Sequence, residues 1–381
     1  MSYIPLSQKI SIPESFTFDD VLLLPGYTDF TRDEVNFSLN LTVKIKLNLP
    51  VISSPMDTVT MSKTAILMAK AGGLGIIHRN LEIEEQVAEV VAVKKTKLNS
   101  KDFKKAAVDE NQKLLVGAAI GPGVDLQERL EKLVHAGLDI LLIDSAHGHK
   151  KEILDLIKEI KQKYPDLPII AGNIATSRAA EDLISAGADV LRVGMGPGSI
   201  CTTRIVTGMG VPQLTAVSEV AKIAKKFDVK VIADGGIKQL GDIPKALGFG
   251  ADVVMLGSML AGFEESPGEI LEIKGEQYKS YRGMGSINAM KKGAASRYGQ
   301  NFDAKKLIAE GVEGLVKLKG SLTDFLYQLD GALRSSLYDC GCRDLKDFYK
   351  EARFVKISTS GLKESHPHTI SAITEKGGSY F

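Results

Sequence analysis

From Pro50 onward the hydrophobic positions of the chain alternate between two patterns. The first is a short apolar run, and it recurs as Pro50-Val-Ile-Ser-Ser, Gly73-Leu-Gly-Ile-Ile-His, Leu114-Leu-Val-Gly-Ala-Ala-Ile, Asp139-Ile-Leu-Leu-Ile-Asp, Pro168-Ile-Ile-Ala-Gly-Asn, Asp189-Val-Leu-Arg-Val-Gly, Lys230-Val-Ile-Ala-Asp-Gly and Asp252-Val-Val-Met-Leu-Gly. These runs are apolar at odd and even positions alike, which predicts parallel strands covered on both faces rather than half-exposed ones. The second pattern has helical spacing. Leu126, Leu130, Leu133 and Val134 fall on one stripe, Ile153, Leu156, Ile157 and Ile160 on another, with Glu, Lys and Arg opposite. A weak internal repeat marks the unit boundaries: His135-Ala-Gly-Leu-Asp-Ile, Ser185-Ala-Gly-Ala-Asp-Val and Phe249-Gly-Ala-Asp-Val each put a glycine where a helix should end and a strand begin. Eight strand-helix units predict an α/β fold, a closed (β/α)8 TIM barrel, as one catalytic domain over residues 1–381. A doubly wound sheet would carry a G-x-G-x-x-G turn after its first strand, and none opens a helix here.

Several segments interrupt the rhythm. Residues 1–49 read as an irregular lead-in that covers one end of the core, with an apolar stretch that stops at Pro25. The polar, basic connection 94–113 reads as a solvated surface segment. Residues 275–320 are rich in Gly, Lys, Ser and Tyr with little periodicity, and 285–320 read as a mobile flap over the site. Helical spacing returns near Leu322–Leu333 and Leu345–Ala352, followed by a polar tail, so a C-terminal extension is expected.

Composition narrows the function. With 381 residues, 44% hydrophobic and 25% charged, the chain has ample core. Lys and Arg total 48 against 47 Asp and Glu, a net charge of +1, so neither nucleic acid nor an anionic membrane is favoured as partner. The first residues lack a long apolar stretch and no later run is long enough to span a bilayer, so the expected location is the cytoplasm. Three cysteines are too few for a disulfide framework, and Cys340-Gly-Cys342 lacks a second pair for zinc. Cys201 is the one that needs explaining.

In a barrel of this kind chemistry sits where the strands end. Just beyond the apolar runs stand Ser53, Ser54, Met56 and Asp57; His78 and Arg79; Asp144, Ser145 and His147; Asn173; Ser199, Cys201, Thr202, Thr203 and Arg204; Asp234, Gly235 and Gly236; Gly257 and Ser258. Asp234-Gly-Gly and Gly257-Ser follow the seventh and eighth runs, where barrels commonly bind phosphate, and a carboxylate there can hold a ribose diol. A sugar phosphate or nucleotide is therefore expected. Cys201 lies in Gly194-Met-Gly-Pro-Gly-Ser-Ile-Cys-Thr-Thr-Arg, and beside a phosphate site it suggests covalent catalysis, with Arg204 or backbone amides available to favour the thiolate. Metal binding competes poorly, because no histidine stands at ligand spacing from Cys201.

The ordered set Phe18-Asp-Asp-Val-Leu-Leu-Leu-Pro, Ser53-Ser-Pro-Met-Asp-Thr-Val, Asp144-Ser-Ala-His-Gly-His, Ala171-Gly-Asn, the cysteine loop, Ile232-Ala-Asp-Gly-Gly-Ile, Tyr281-Arg-Gly-Met-Gly-Ser, Ser296-Arg-Tyr and Glu310-Gly-Val-Glu-Gly resembles the inosine 5′-monophosphate (IMP) dehydrogenases over nearly the whole chain. The resemblance implies that Cys201 attacks C2 of IMP, that a hydride passes to NAD+, and that water then hydrolyses the thioimidate to xanthosine monophosphate (XMP), a step in guanine nucleotide biosynthesis. It assigns substrate contacts to Ser54, Met56, Asn173, Ser199, Asp234, Gly235, Gly236, Gly257, Ser258, Tyr281, Gly283, Met284, Gly285 and Glu310. Asp144, Ser145, Ala146 and His147 would face NAD+, Thr203 would lie near the reacting centre, and Arg297 and Tyr298 would activate the hydrolytic water. It also implies K+ held by carbonyls of Gly196, Gly198 and Cys201, together with Glu364, Ser365 and His366 from a neighbouring subunit, in a homotetramer that can pair into octamers. Members of that family normally carry a pair of CBS regulatory modules between the second and third units. This chain has only the 94–113 connection there, which removes the ground for expecting control through those modules. The rival readings are GMP reductase, which shares the cysteine loop but uses NADPH and releases ammonia, and a non-catalytic nucleotide-binding scaffold.

Overall fold

The computed structural model describes residues 11–12, 14–100, 102–300 and 307–368. The apolar runs form β1 (Val51–Ser53), β2 (Leu74–Ile77), β3 (Val116–Ile120), β4 (Ile140–Asp144), β5 (Ile169–Ile174), β6 (Val190–Val193), β7 (Lys230–Asp234) and β8 (Val253–Leu256). All pair in parallel and in sequence order, and β8 closes on β1 through Val254 opposite Val51. The expected (β/α)8 barrel is what the chain forms.

Two apolar layers explain why the strands lack alternation. Ile52, Leu74, Ile76, Ile140, Leu142, Ile170, Val190, Ile232 and Val253 fill the barrel interior, while their neighbours in sequence face the helices. Those helices are α1 (Ser62–Lys70), α2 (Ile83–Lys95), α3 (Leu126–His135), α4 (Lys151–Lys163), α5 (Ser177–Ala186), α6 (Gln213–Ala224), α7 (Asp242–Gly248) and α8 (Leu322–Asp339). Leu130 and Leu133 of α3, and Ile153, Leu156, Ile157 and Ile160 of α4, are buried as their stripes predict.

The internal repeat has a specific physical meaning. In each copy a glycine with positive φ (Gly137 at 87°, Gly187 at 108°, Gly250 at 111°) ends the turn after a helix. The aspartate two residues later accepts a hydrogen bond from the first residues of the preceding strand: Asp139 from Val116 N (2.8 Å), Asp189 from Ile169 N (2.7 Å) and Asp252 from Val231 N (2.8 Å). The carboxylates thus cap N–H groups at the starts of strands, and Lys94 and Lys161 pair with two of them at 2.6 Å.

The lead-in supplies a lid for the opposite mouth. Leu39–Asn40 and Lys46–Leu47 pair as a hairpin, and Leu41, Ile45 and Leu47 insert into the same apolar cluster as the barrel interior. Val21–Leu23 pairs antiparallel with Phe354–Lys356 of the C-terminal extension. Residues 1–10 of the lead-in lie outside the described residues.

Two segments differ from expectation. The connection 94–113 is not wholly solvated: Ala106 and Ala107 are buried, and Ala107 N donates to Ala69 O at 2.8 Å. Two small apolar residues in a lysine-rich stretch were enough to dock it against α1. The segment 275–320, read as aperiodic, supplies two strands of a three-stranded antiparallel sheet, β9 (Ile270–Ile273), β10 (Glu276–Arg282) and β11 (Glu313–Lys317). The flap helices Ile287–Lys291 and Ala294–Tyr298 hang between β10 and β11, and residues 301–306 lie outside the described residues. Lys279 anchors this sheet to the barrel, because its buried ammonium donates to the carbonyls of Phe263 (3.0 Å), Glu264 (3.2 Å) and Ser266.

Candidate active site

The loop after β6 is shaped from below and from within. Gly194 has φ 150°, and a Cβ there would fall 2.1 Å from Asp234 O, so only glycine fits. Gln213 donates to Val193 O (2.9 Å) and Asp234 O (3.1 Å) from beneath. Arg204 donates to Met195 O (3.0 Å) and Val211 O (2.6 Å), so its hydrogen bonds go to the loop carbonyls while its charge still interacts with Cys201. The flap strand closes the other side: Val312 N donates to Ile200 O, Thr202 N to Glu310 O, both at 3.0 Å, and Cys201 bridges Gly311.

This frame holds a chain of three groups. The Cys201 thiol donates to Thr203 Oγ1 at 3.2 Å, and Thr203 donates to Glu310 Oε2 at 2.8 Å. A proton leaving sulfur has a continuous path to a carboxylate. Cys201 is half-buried, and it opens on a cavity lined by every position the resemblance assigns to substrate, from Ser54 to Glu310, and by Arg297 and Tyr298. Gly196 and Gly198 line the same cavity, while Thr203 lies buried behind the thiol.

Asn173 and Asp234 meet at the centre of the strand ends. The register between β5 and β6 slips at Asn173, the Gly172–Asn173 peptide is cis, and Asn173 Nδ2 donates to Asp234 Oδ2 at 2.8 Å and to Gly194 O at 2.9 Å. Tyr281 lies against Gly257, where an added Cβ would come within 3.5 Å of its hydroxyl. Burial pushes that phenol up to about 12, with hydrogen bonds from Ser199 and Ser258 working the other way, so it acts as a neutral hydrogen-bonding group.

The sequence reading missed Arg192. It is buried at 2% exposure inside β6 and bridges two strand-end carboxylates, Asp144 Oδ1 at 2.7 Å through Nη1 and Asp234 Oδ2 at 2.9 Å through Nε. A signal was available, since an arginine within a strand buried on both faces must be paired. Asp144 also holds Arg297 Nη1 and stands 4.0 Å from Arg79 Nε, so three guanidinium groups surround one carboxylate. Asp144, Ser145, Ala146 and His147 do not line the cysteine cavity. Two of them meet the flap instead: Asp144 pairs with Arg297, and Ala146 N donates to Arg297 O at 3.0 Å.

His78, just beyond β2, is buried, and desolvation lowers it to about 4, while Asp57 and Glu89 oppose the shift. Its folded value lies below the ordinary 6.5, so its contribution to stability is complete above pH 6.5 and is lost as pH falls toward 4. The loss is expected to be on the order of 3 kcal/mol. Thermal unfolding between pH 7 and 4.5 checks this, with His78→Gln expected to flatten the slope; parallel slopes would contradict it.

Glu364 ends the exposed helix Thr359–Glu364 and Ser365 and His366 follow it, and among the described residues no hydrogen bond joins the three to the 196–201 loop of the same chain. Among the described residues no cluster of His, Cys, Asp and Glu suits a metal ion, and no helix is long and apolar enough to cross a membrane.

The family described as "IMP dehydrogenase / GMP reductase domain" matches residues 15–368. The chain belongs to this family. It is 48% identical over 397 residues to the inosine-5′-monophosphate dehydrogenase of Borreliella burgdorferi, covering 95% of this chain and 98% of the relative. It is 40% identical to the enzyme of the same name from Staphylococcus aureus strain Mu50, covering 96% and 98%. That second alignment runs over 479 positions, well beyond the 381 residues here, so the staphylococcal member of the family carries sequence that this chain lacks.

Proposed function

We propose that the protein oxidises IMP to XMP with NAD+ through a covalent intermediate on Cys201, acting in the cytoplasm as a homotetramer. The observation that carries the reading is the convergence of the Cys201–Thr203–Glu310 chain and the Arg297–Tyr298 pair on one cavity whose rim carries Asp234-Gly-Gly and Gly257-Ser. Asp234, held by Arg192 and Asn173, is fixed as a carboxylate acceptor for a ribose diol. Cys201 bonds to C2 of the purine as its proton passes to Thr203 and Glu310. NAD+, when bound, accepts the hydride that C2 gives up. Water then adds to the thioimidate carbon, Arg297 and Tyr298 take its proton, and the C–S bond breaks to release XMP and the thiol.

The flap supports this order of events. Arg297 takes up Asp144 and the N–H of Ala146, the groups assigned to the cofactor side, so the closed flap and a bound dinucleotide compete for the same positions. Hydride transfer and hydrolysis then require different flap positions. A carbonyl-rich loop at Gly196, Gly198 and Cys201 suits a hard monovalent cation, and residues 364–366 of a neighbouring copy would complete a K+ shell that a single chain leaves open.

The deciding test mixes the protein with IMP and NAD+ in KCl. The expected results are NADH formation, stimulation by K+, and a purine adduct on Cys201 seen by mass spectrometry. Turnover of GMP with NADPH alone would instead assign the reductase activity. Binding without turnover of either pair would leave the scaffold reading.

A further inference from the structure

Two adjacent residues after β2, Arg79 and Asn80, grip the flap at separate points. Arg79 Nη1 donates to Ser296 Oγ at 3.1 Å, in the helix that carries Arg297. Asn80 Nδ2 donates to Ala289 O at 3.3 Å, in the other flap helix, and to Asp57 Oδ2 at 3.0 Å. Asp57 in turn holds Arg282, the last residue of β10, through both carboxylate oxygens at 3.0 and 3.1 Å. Both flap helices and their sheet are therefore tied to one corner of the barrel rim.

Arg79 is costly where it stands. Its side chain is 8% exposed, its Nε and Nη2 lack hydrogen-bond partners among the described residues, and it shares Asp144 with two other guanidinium groups. It lies flat on Gly121, where a Cβ would fall 2.3 Å from Nη1. Burial, and after it the charge of Arg297, push its basicity down to about 10. A buried, half-satisfied cation contributes little to stability, so its placement beside Ser296 and Asp144 calls for a role in the site.

We propose that Arg79 and Asn80 form the latch that holds the flap shut over Cys201, with Arg79 a positioning residue acting through Ser296 and Asn80 acting through Ala289. The inference rests on the two-step reading above, in which the shut flap excludes the dinucleotide and admits hydrolysis. Loosening the latch then acts oppositely on the two occupants of one position. Hydrolysis slows, and NAD+ returns more readily to the covalent enzyme.

The test uses the full chain with Arg79→Gln, Asn80→Ala, Ser296→Ala and the Arg79→Gln/Ser296→Ala double variant. Each is assayed for the pre-steady-state NADH burst, kcat, adduct on Cys201 during turnover, and inhibition by excess NAD+. For Arg79→Gln the burst is expected to match the native protein, kcat to fall about tenfold, the adduct to accumulate, and the half-inhibiting NAD+ concentration to drop about tenfold, as for a lost charge-assisted hydrogen bond. Asn80→Ala is expected to move the same way, Arg79→Lys to recover much of the loss, and the double variant to be no worse than Arg79→Gln. Burst and turnover falling together with adduct and NAD+ inhibition unchanged would overturn the latch, as would additive effects of Arg79→Gln and Ser296→Ala. If the native protein forms no adduct, the two-step reading fails; if it does and the variants match it, only the latch fails.

Discussion

Replacing Cys201 by alanine is expected to abolish both NADH formation and the purine adduct while leaving IMP binding and the fold intact. The thiol is half-buried, and among the described residues its one side-chain hydrogen bond is to Thr203. The loop around it is held by other groups: Gln213, Arg204 and the backbone bonds to residues 310–312 all survive the change. Stability should therefore shift by no more than about 0.5 kcal/mol. The chemistry has no substitute nucleophile, since Cys340 and Cys342 lie away from the cavity, so kcat/KM should fall at least about 10⁴-fold. Stopped-flow absorbance, intact-protein mass and equilibrium IMP binding together check it. Residual turnover above about one per cent of native would remove the covalent role from Cys201.

That the thiol could be singled out from sequence, whereas its surroundings could not, follows from how each signal is encoded. The barrel was legible because a strand buried on both faces leaves an unbroken apolar run, and the helices between leave stripes. The strand-end positions followed from counting those runs. Arg192 was hidden for the same reason: β6 reads as an apolar run, and one arginine inside it is easily passed over although burial demands partners for it. The Asp144–Arg192–Asp234 bridge joins residues far apart in sequence and has no local pattern at all.

The flap sheet was missed for a different reason. β9 is exposed along its whole length and β10 is buried only at Lys279 and Tyr281, so neither shows a clean alternation of apolar and polar residues. The pairing of β10 with β11 spans the flap helices, and no short turn signal marks it. The buried Lys279 is equally illegible, because what satisfies it is a cluster of backbone carbonyls. Asn173 lies between these cases. The Ala171-Gly-Asn motif was visible, but the need for glycine at 172, where a Cβ would fall 2.3 Å from Arg192 O, appears only once β5 and β6 are side by side.

Arg297→Ala is expected to separate the two chemical steps. Arg297 reaches the cavity from the flap, while the thiol, Thr203 and Glu310 are set by the β6 loop and the strand bonds to it. Hydride transfer should therefore proceed at nearly the native rate. Removing this arginine also leaves no orphaned charge, because Asp144 keeps Arg192 at 2.7 Å, so loss of fold does not confuse the result. What disappears is the group proposed to meet the hydrolytic water, together with the ion pair that ties the flap to Asp144. A missing general base costs about 10²–10⁴-fold, so turnover should fall by that range while the Cys201 adduct rises to nearly one per subunit. Quenched-flow mass spectrometry measures both in one experiment. A hydride burst slowed as much as turnover would place Arg297 in the first step and break the division of labour between loop and flap.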